Sequence, residues 1–165
     1  MQPTRALDAN KPYFYHPSFP ALTNLQNLPY VRNCRFKMLL ESLSPELHPD
    51  EYVFCSLDCS IADCIKLNPV CIFREKEGTT LILSRLQAEA HNLRYCGVFR
   101  QITLNVHSSL EAIGLTAAVS NQLASHNISA NVIAGFYHDH IFVPAGNSEA
   151  AMTVLNQLSQ HALDC

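Results

Sequence analysis

The segment His107-Ser108-Ser109-Leu110-Glu111-Ala112-Ile113-Gly114-Leu115 leads from an alternating apolar stretch into a helical one. Free N–H groups and the dipole at the start of a helix suit a carboxylate. Gly114 costs roughly 1 kcal/mol inside a helix relative to alanine, so the regular helix is expected to begin near it, with something packed close to the backbone. A plainer reading is a capping box, Ser108 with Glu111, which would satisfy two helix-end donors; the two readings are compatible. His138-Asp139-His140 is a second motif with chemistry in it. On a strand the two histidines share a face, and with His107 they could form a three-histidine metal set. His138 and Asp139 also suit a hairpin turn, where Asp bonds the local backbone, and no metal is assigned. Glu75, Gly78, Thr79 and Thr80 cluster at another turn, where a carboxylate can meet an α-amino group beside hydroxyls, or simply make a polar turn. Asn131, opposite Val132 on a half-buried strand, is either a further ligand contact or a solvent-facing polar residue.

Seven cysteines stand at 34, 55, 59, 64, 71, 96 and 165, without a C-x-x-C pair. They are expected to be mostly free thiols that behave as small buried hydrophobes. The spacing of Cys55, Cys59 and Cys64 matches no standard zinc pattern. No G-x-S-x-G, P-loop, G-x-G-x-x-G or H-E-x-x-H motif is present, so the chain is not read as an enzyme, although a Cys–His pair assembled in space stays open.

The elements that position these residues follow from apolar periodicity. Ile102, Leu104 and Val106 alternate with Thr103, Asn105 and His107, which marks a strand with one dry face. From Leu115 the spacing changes to four, with Leu115, Val119 and Leu123 making a helical stripe and Asn127 at the C-cap. Ala130, Val132, Ala134 and Phe136 alternate again, and Tyr137-His138-Asp139 turns the chain into Ile141 and Val143. The second half thus reads strand (98–106), helix (114–125), strand (129–136), strand (140–143), helix (148–161). In the first half a short helix from Phe36 to Leu43 ends at Ser44-Pro45, and a strand follows over 51–57. A loop covers 58–68, a strand pair at 70–74 and 79–83 is joined by Glu75-Lys76-Glu77-Gly78, and a helix spans 85–92.

This order, with the phrase NISANVIAGFYHDHIFVP and a loop ending in Gly-Leu, resembles an ACT domain, and a subgroup of short proteins carrying two such units in tandem. The likeness covers roughly 38–163. It implies an α+β fold, a ferredoxin-like sandwich in which antiparallel sheets are packed by helices. It also implies a regulatory role: an amino acid or similar metabolite bound at the interface of two units, 36–96 and 97–165. By this resemblance the amino-acid contact falls on Ser109, Leu110, Ile113, Gly114 and Leu115, with Asp139 in the hairpin and no metal role there. Glu75, Thr79 and Thr80 are expected to form the opposite wall. A ferredoxin-like unit has a fourth strand that the second half lacks; a strand from the first half is expected to supply it, so the halves fold as one body. The alternative function is a ligand-free dimerisation module.

Residues 1–35 hold five of the nine prolines and show neither period, so a disordered or loosely draped extension is expected, with Tyr13, Phe14, Tyr15 and Phe19 a potential aromatic latch. The resemblance implies chains that begin near the position of Met38, and on that ground the extension is expected to be lineage-specific or the result of an upstream start codon. Apolar residues make up 48% and charged residues 15%, with net charge -3 and pI near 6.2, which leaves no basic face for nucleic acid. No window approaches the roughly 20 apolar residues of a membrane span, and no signal-peptide pattern opens the chain. The expectation is a cytoplasmic protein with a small-molecule amino-acid ligand, a homodimer in prospect, and no cofactor, nucleic acid or membrane partner.

Overall fold

The computed structural model describes residues 37–106 and 114–164, with side chains through 160. The expectations for 1–35, for His107, Ser108, Ser109, Leu110, Glu111 and Ile113, and for Cys34 and Cys165 lie outside the described residues.

Alternating β-formers build six strands: β1 (Pro45–Leu57), β2 (Cys71–Arg74), β3 (Thr79–Ser84), β4 (Phe99–Leu104), β5 (Asn131–Ala134) and β6 (Asp139–Pro144). Among the described residues five α-helices accompany them, α1 (37–41), α2 (Ile61–Ile65), α3 (Arg85–Ala90), α4 (Leu115–Ser125) and α5 (Ser148–Asp164), the last preceded by a 3-10 turn at Ala145–Asn147. The strands form one sheet in the order β2-β3-β1-β4-β6-β5, every neighbouring pair antiparallel. Each half therefore reads strand, helix, strand, strand, helix. The strand next to β4 is β1, which occupies the fourth-strand place of the second half, and β4 does the same for the first half.

Two corrections concern the first half. β1 starts at Pro45 rather than Glu51, because Pro49 and Asp50 interrupt the alternation without ending the strand. The β1–β4 register shifts between Leu47 and Glu51, and proline is tolerated at a strand's first residue and at such irregularities. The stretch expected to be all loop contains α2. Ser60 caps it, accepting from Asp63 N–H at 3.2 Å and donating to Asp63 Oδ2 at 2.7 Å, an N-cap in the sequence Ser-Ile-Ala-Asp. In the second half Asn127 adopts φ 56° just beyond the α4 C-cap His126, the left-handed conformation asparagine tolerates there.

Directly paired residues of an antiparallel sheet point to the same face. Val53, Cys55, Leu81, Leu83, Ile102, Leu104, Ile141 and Val143 thus share the face that the helices cover, and all are buried. Leu115, Val119 and Leu123 of α4 and Val154 and Leu155 of α5 close over its second half, while Cys64 of α2 and Ala88 of α3 close over its first. On the opposite face Tyr52, Ile82 and Phe142 form a third cluster, with Phe54 and Phe99 packed against it. Phe142 meets Tyr52 and Phe54 edge-to-face at centroid distances of 5.6 and 5.7 Å, the arrangement ring quadrupoles favour.

A polar knot sits on that second face where β1 is irregular. His48 Nε2 lies 2.7 Å from Thr103 Oγ1, and Thr103 Oγ1 lies 3.0 Å from His140 Nδ1. Gln101 Nε2 donates to the same His140 Nδ1 at 3.1 Å. Two polar groups, the Gln101 amide and the Thr103 hydroxyl, thus converge on one ring nitrogen of His140. Arg100 donates twice to His48 O, at 2.7 and 2.9 Å, and fixes the backbone of the register break.

Candidate ligand site

In each half the first strand ends beside the start of the last. Leu57 pairs with Thr79, and Leu104 pairs with Asp139. The turns before those residues close alike: Glu75 N–H donates to Gly78 O at 2.9 Å, and Gly135 N–H donates to His138 O at 3.0 Å. Each half thus presents one corner made of a strand end, the entry to a helix and a four-residue turn.

At the first corner lies an open cavity of about 390 Å³, lined by Leu57, Asp58, Cys59, Glu75, Lys76, Glu77, Gly78 and Thr79. Glu75 is held by the Thr80 hydroxyl, which donates to its carboxylate. Thr80 itself lies outside the lining; it positions Glu75 rather than facing the cavity. Thr79 is buried and donates to Cys59 O at 3.3 Å, which ties the turn to the strand–helix connection. The side-chain inventory offers carboxylates for an ammonium group, a lysine for an anion and backbone groups for either.

At the second corner Gly114 is the N-cap of α4 with φ 108°, a left-handed conformation that favours glycine, and its side-chain-free cap makes no side-chain hydrogen bond. Leu115 is buried in the helix-side core, so its side chain packs there rather than lining a surface. Asp139 is half-buried, and burial raises its carboxyl above the usual carboxylate range while the neighbouring His140 pulls it back. Asn131 sits on edge strand β5, opposite Phe142, and donates to Phe142 O at 3.3 Å. That puts it on the face away from the helices, apart from Asp139 and Leu115. His140 is engaged in the polar knot, and among the described residues no group of three or more His, Cys, Asp or Glu is arranged to hold a metal ion.

The expected wall-to-wall site is therefore divided. Glu75 and Thr79 adjoin the end of β1, whereas Gly114, Leu115 and Asp139 adjoin the end of β4. Because Pro45 pairs with Leu104 and Leu57 with Thr79, the length of β1 separates the two corners, about 40 Å of extended chain at roughly 3.3 Å per residue. Leu57, Asp58 and Cys59 went unforeseen because α2 did; the N-cap serine of Ser60-Ile61-Ala62-Asp63 was the available signal. Most of the described cysteines are free thiols, with one pair excepted. Cys59 and Cys64 are joined by a disulfide across α2, while Cys55, Cys71 and Cys96 are free.

Two family models, each described as an ACT domain, match residues 34–100 and residues 98–157. A Vibrio cholerae protein, described as of unknown function and a possible transport protein, is 45% identical. The alignment covers 78% of this chain and 98% of that one, with a TM-score of 0.72. An Agrobacterium tumefaciens protein (15% identity; 71% and 89% of the two chains; TM-score 0.58) has a similar fold. So does the ligand-free regulatory subunit of aspartate kinase from Thermus thermophilus (9% identity; 71% and 98%; TM-score 0.51). No curated protein matches in sequence. Two matching domain models end to end, and a relative of high identity along most of its length, lead to one conclusion: the chain belongs to the ACT-domain family and carries two such domains in tandem.

Proposed function

We propose that the chain is a small, non-enzymatic cytoplasmic regulator that binds an amino acid or similar metabolite. ACT domains are typically regulatory modules for such ligands. The observation that carries the reading is the cavity at the first corner, where Asp58 and Glu75 stand beside Lys76, Thr79 and the Gly78 backbone. A zwitterion needs partners of both signs close together, and this lining has them. The second corner, with Gly114 and Asp139, is the equivalent place in the second domain. The domains are taken as 36–96 and 97–165, folding as one body, with 1–35 an extension. Affinity between mM and μM, about 4 to 8 kcal/mol, is in keeping with so open a site.

Thermal shift against each of the twenty standard amino acids tests the proposal. A ligand that binds the native state alone raises the midpoint with its concentration. Glu75→Gln should abolish that rise while leaving the unliganded midpoint nearly in place. No stabilisation by any of the twenty at millimolar concentration would count against it.

A ligand-free homodimerisation module is the competing reading, favoured by the exposed Val70 and Phe73 at edge strand β2. Light scattering decides between them: a dimer lost in Phe73→Glu, with no amino acid shifting the midpoint of either protein, supports the module.

A further inference from the structure

We infer that Cys59 and Cys64 form a reversible thiol–disulfide switch that sets the shape of the first-domain cavity. The inference rests on geometry at the corner described above and, for its effect on a ligand, on the proposed amino-acid site.

Helix α2 is five residues long, and Cys64 is its one buried residue. So short a helix does not hold itself, because nucleation is unfavourable and few bonds follow it. Its counterpart α4 has eleven residues and buries Leu115, Val119 and Leu123. What the second domain achieves with an apolar stripe, the first achieves with the Ser60 cap and the Cys59–Cys64 bond. Cys64 is anchored in the core with Val53, Cys55, Leu81 and Leu83. Cys59 is half-buried, lines the cavity, and accepts the Thr79 hydroxyl bond at its carbonyl. The disulfide therefore links the cavity wall to the core through α2. Opening it removes the one covalent tie between residue 59 and the core, and leaves the Ser60 cap, the helix bonds to Ser60 O and the Thr79 hydroxyl bond to hold residues 58–60.

The chemistry is exchange with a low-molecular-weight thiol. A thiolate approaching from the cavity attacks Cys59 Sγ, since Cys64 is fully buried. The Cys59–Cys64 bond breaks, the new mixed disulfide forms on Cys59, and Cys64 departs as a thiolate that takes up a proton. A second thiolate attacks the small-molecule sulfur, releasing Cys59 as a thiolate that is then protonated. The sum is one protein disulfide and two thiols converted to two protein thiols and one small disulfide, and the reverse runs with the small disulfide as oxidant. In a reducing compartment a disulfide, where one forms, is usually transient and catalytic or redox-sensing.

The test uses the full chain equilibrated in glutathione buffers of graded ratio, alkylated, and mapped by peptide mass. Hydrogen exchange and thermal shift with the twenty amino acids are read on the same samples. We expect Cys59 and Cys64 to titrate together, and amides 58–67 to exchange about tenfold faster or more once reduced, from the lost chain constraint. Any amino-acid response should weaken by a similar factor. The Cys59→Ser and Cys64→Ser double variant should match the reduced wild type, and reduction of the wild type is the readout should that variant fold poorly. Equal protection of 58–67 in the two states, or thiols that never pair at any ratio, overturns the switch whatever binds. Redox-dependent protection with no amino acid bound in either state sustains the switch and sinks the ligand reading.

Discussion

Leu104→Ala tests whether the two domains fold as one body. Leu104 is 1% exposed, at the end of β4 between Pro45 of β1 and Asp139 of β6. It belongs to the core shared by Ile102, Leu115, Val119 and Ile141. Removing a buried leucine side chain costs 2–5 kcal/mol according to how far the site collapses. Here the neighbours come from strands on both sides and from a helix, so collapse is limited and about 3 kcal/mol is the working figure. At 1.4 kcal/mol per factor of ten, that is a loss of about 100-fold in the folded-to-unfolded ratio. Strand β3 lies two places away, beyond β1, and touches none of the deleted atoms in the pairing scheme. If global unfolding is the event that exposes core amides, Leu81, Ile82 and Leu83 of β3 should exchange about 100-fold faster, as should Ile141 of β6. Native-state hydrogen exchange reads both. Acceleration confined to β4, β6 and β5, with β3 unchanged, would show that the first domain stays folded alone, and the single-body reasoning would fail.

Three further outcomes follow from other parts of the structure. Burial, then the charges of His138 and His48, hold the His140 imidazole below its ordinary value, with Asp139 opposing. The unfolded chain takes up that proton near pH 6.5 while the folded chain does so lower. Stability should therefore fall as pH drops through about 6.5 and level off below the folded value. Urea midpoints between about pH 7.5 and 5 should show this in the wild type and less of it in His140→Gln; identical slopes would refute it. Phe142→Ala removes a ring that is 2% exposed and edge-on to Tyr52 and Phe54, and should cost about 3–5 kcal/mol in urea unfolding. Gly135→Ala would place a Cβ 2.6 Å from His138 O, so the turn must open, at about 1–3 kcal/mol, while Gly146→Ala meets nothing within 4 Å and should stay within about 0.5 kcal/mol.

The second half was legible because its pattern is long and clean. Leu115, Val119 and Leu123 keep helical spacing over about two turns, and Ile102 with Leu104 and Ile141 with Val143 keep strand spacing, so the elements follow from periodicity and their ends move by a few residues only. The first half was less so. Pro49 and Asp50 mask the continuity of β1, and α2 is too short for any period to develop; its stability comes from a cap and a crosslink, which spacing does not reveal. The candidate residues can be named one by one from the sequence, but their grouping cannot. Glu75, Thr79, Gly114 and Asp139 all lie at strand–helix corners, yet nothing in the local pattern says which corners adjoin.

That grouping depends on one sign. β1 and β4 are equivalent strands, each the first of its domain, and they pair in the centre of the sheet. Had they run parallel, their C-terminal ends, and with them the two helix entries, would have met on one side and made a shared seam. They run antiparallel, with Pro45 opposite Leu104, so the two corners point to opposite ends. The same pairing gives each domain its missing fourth strand and leaves neither with an open edge at the centre, which is where unpaired backbone groups would cost most. The arrangement that completes both sheets is thus the one that separates the two corners. Between the two ends, β1 and β4 carry the register break at His48 and the knot of Thr103, Gln101 and His140 that secures it.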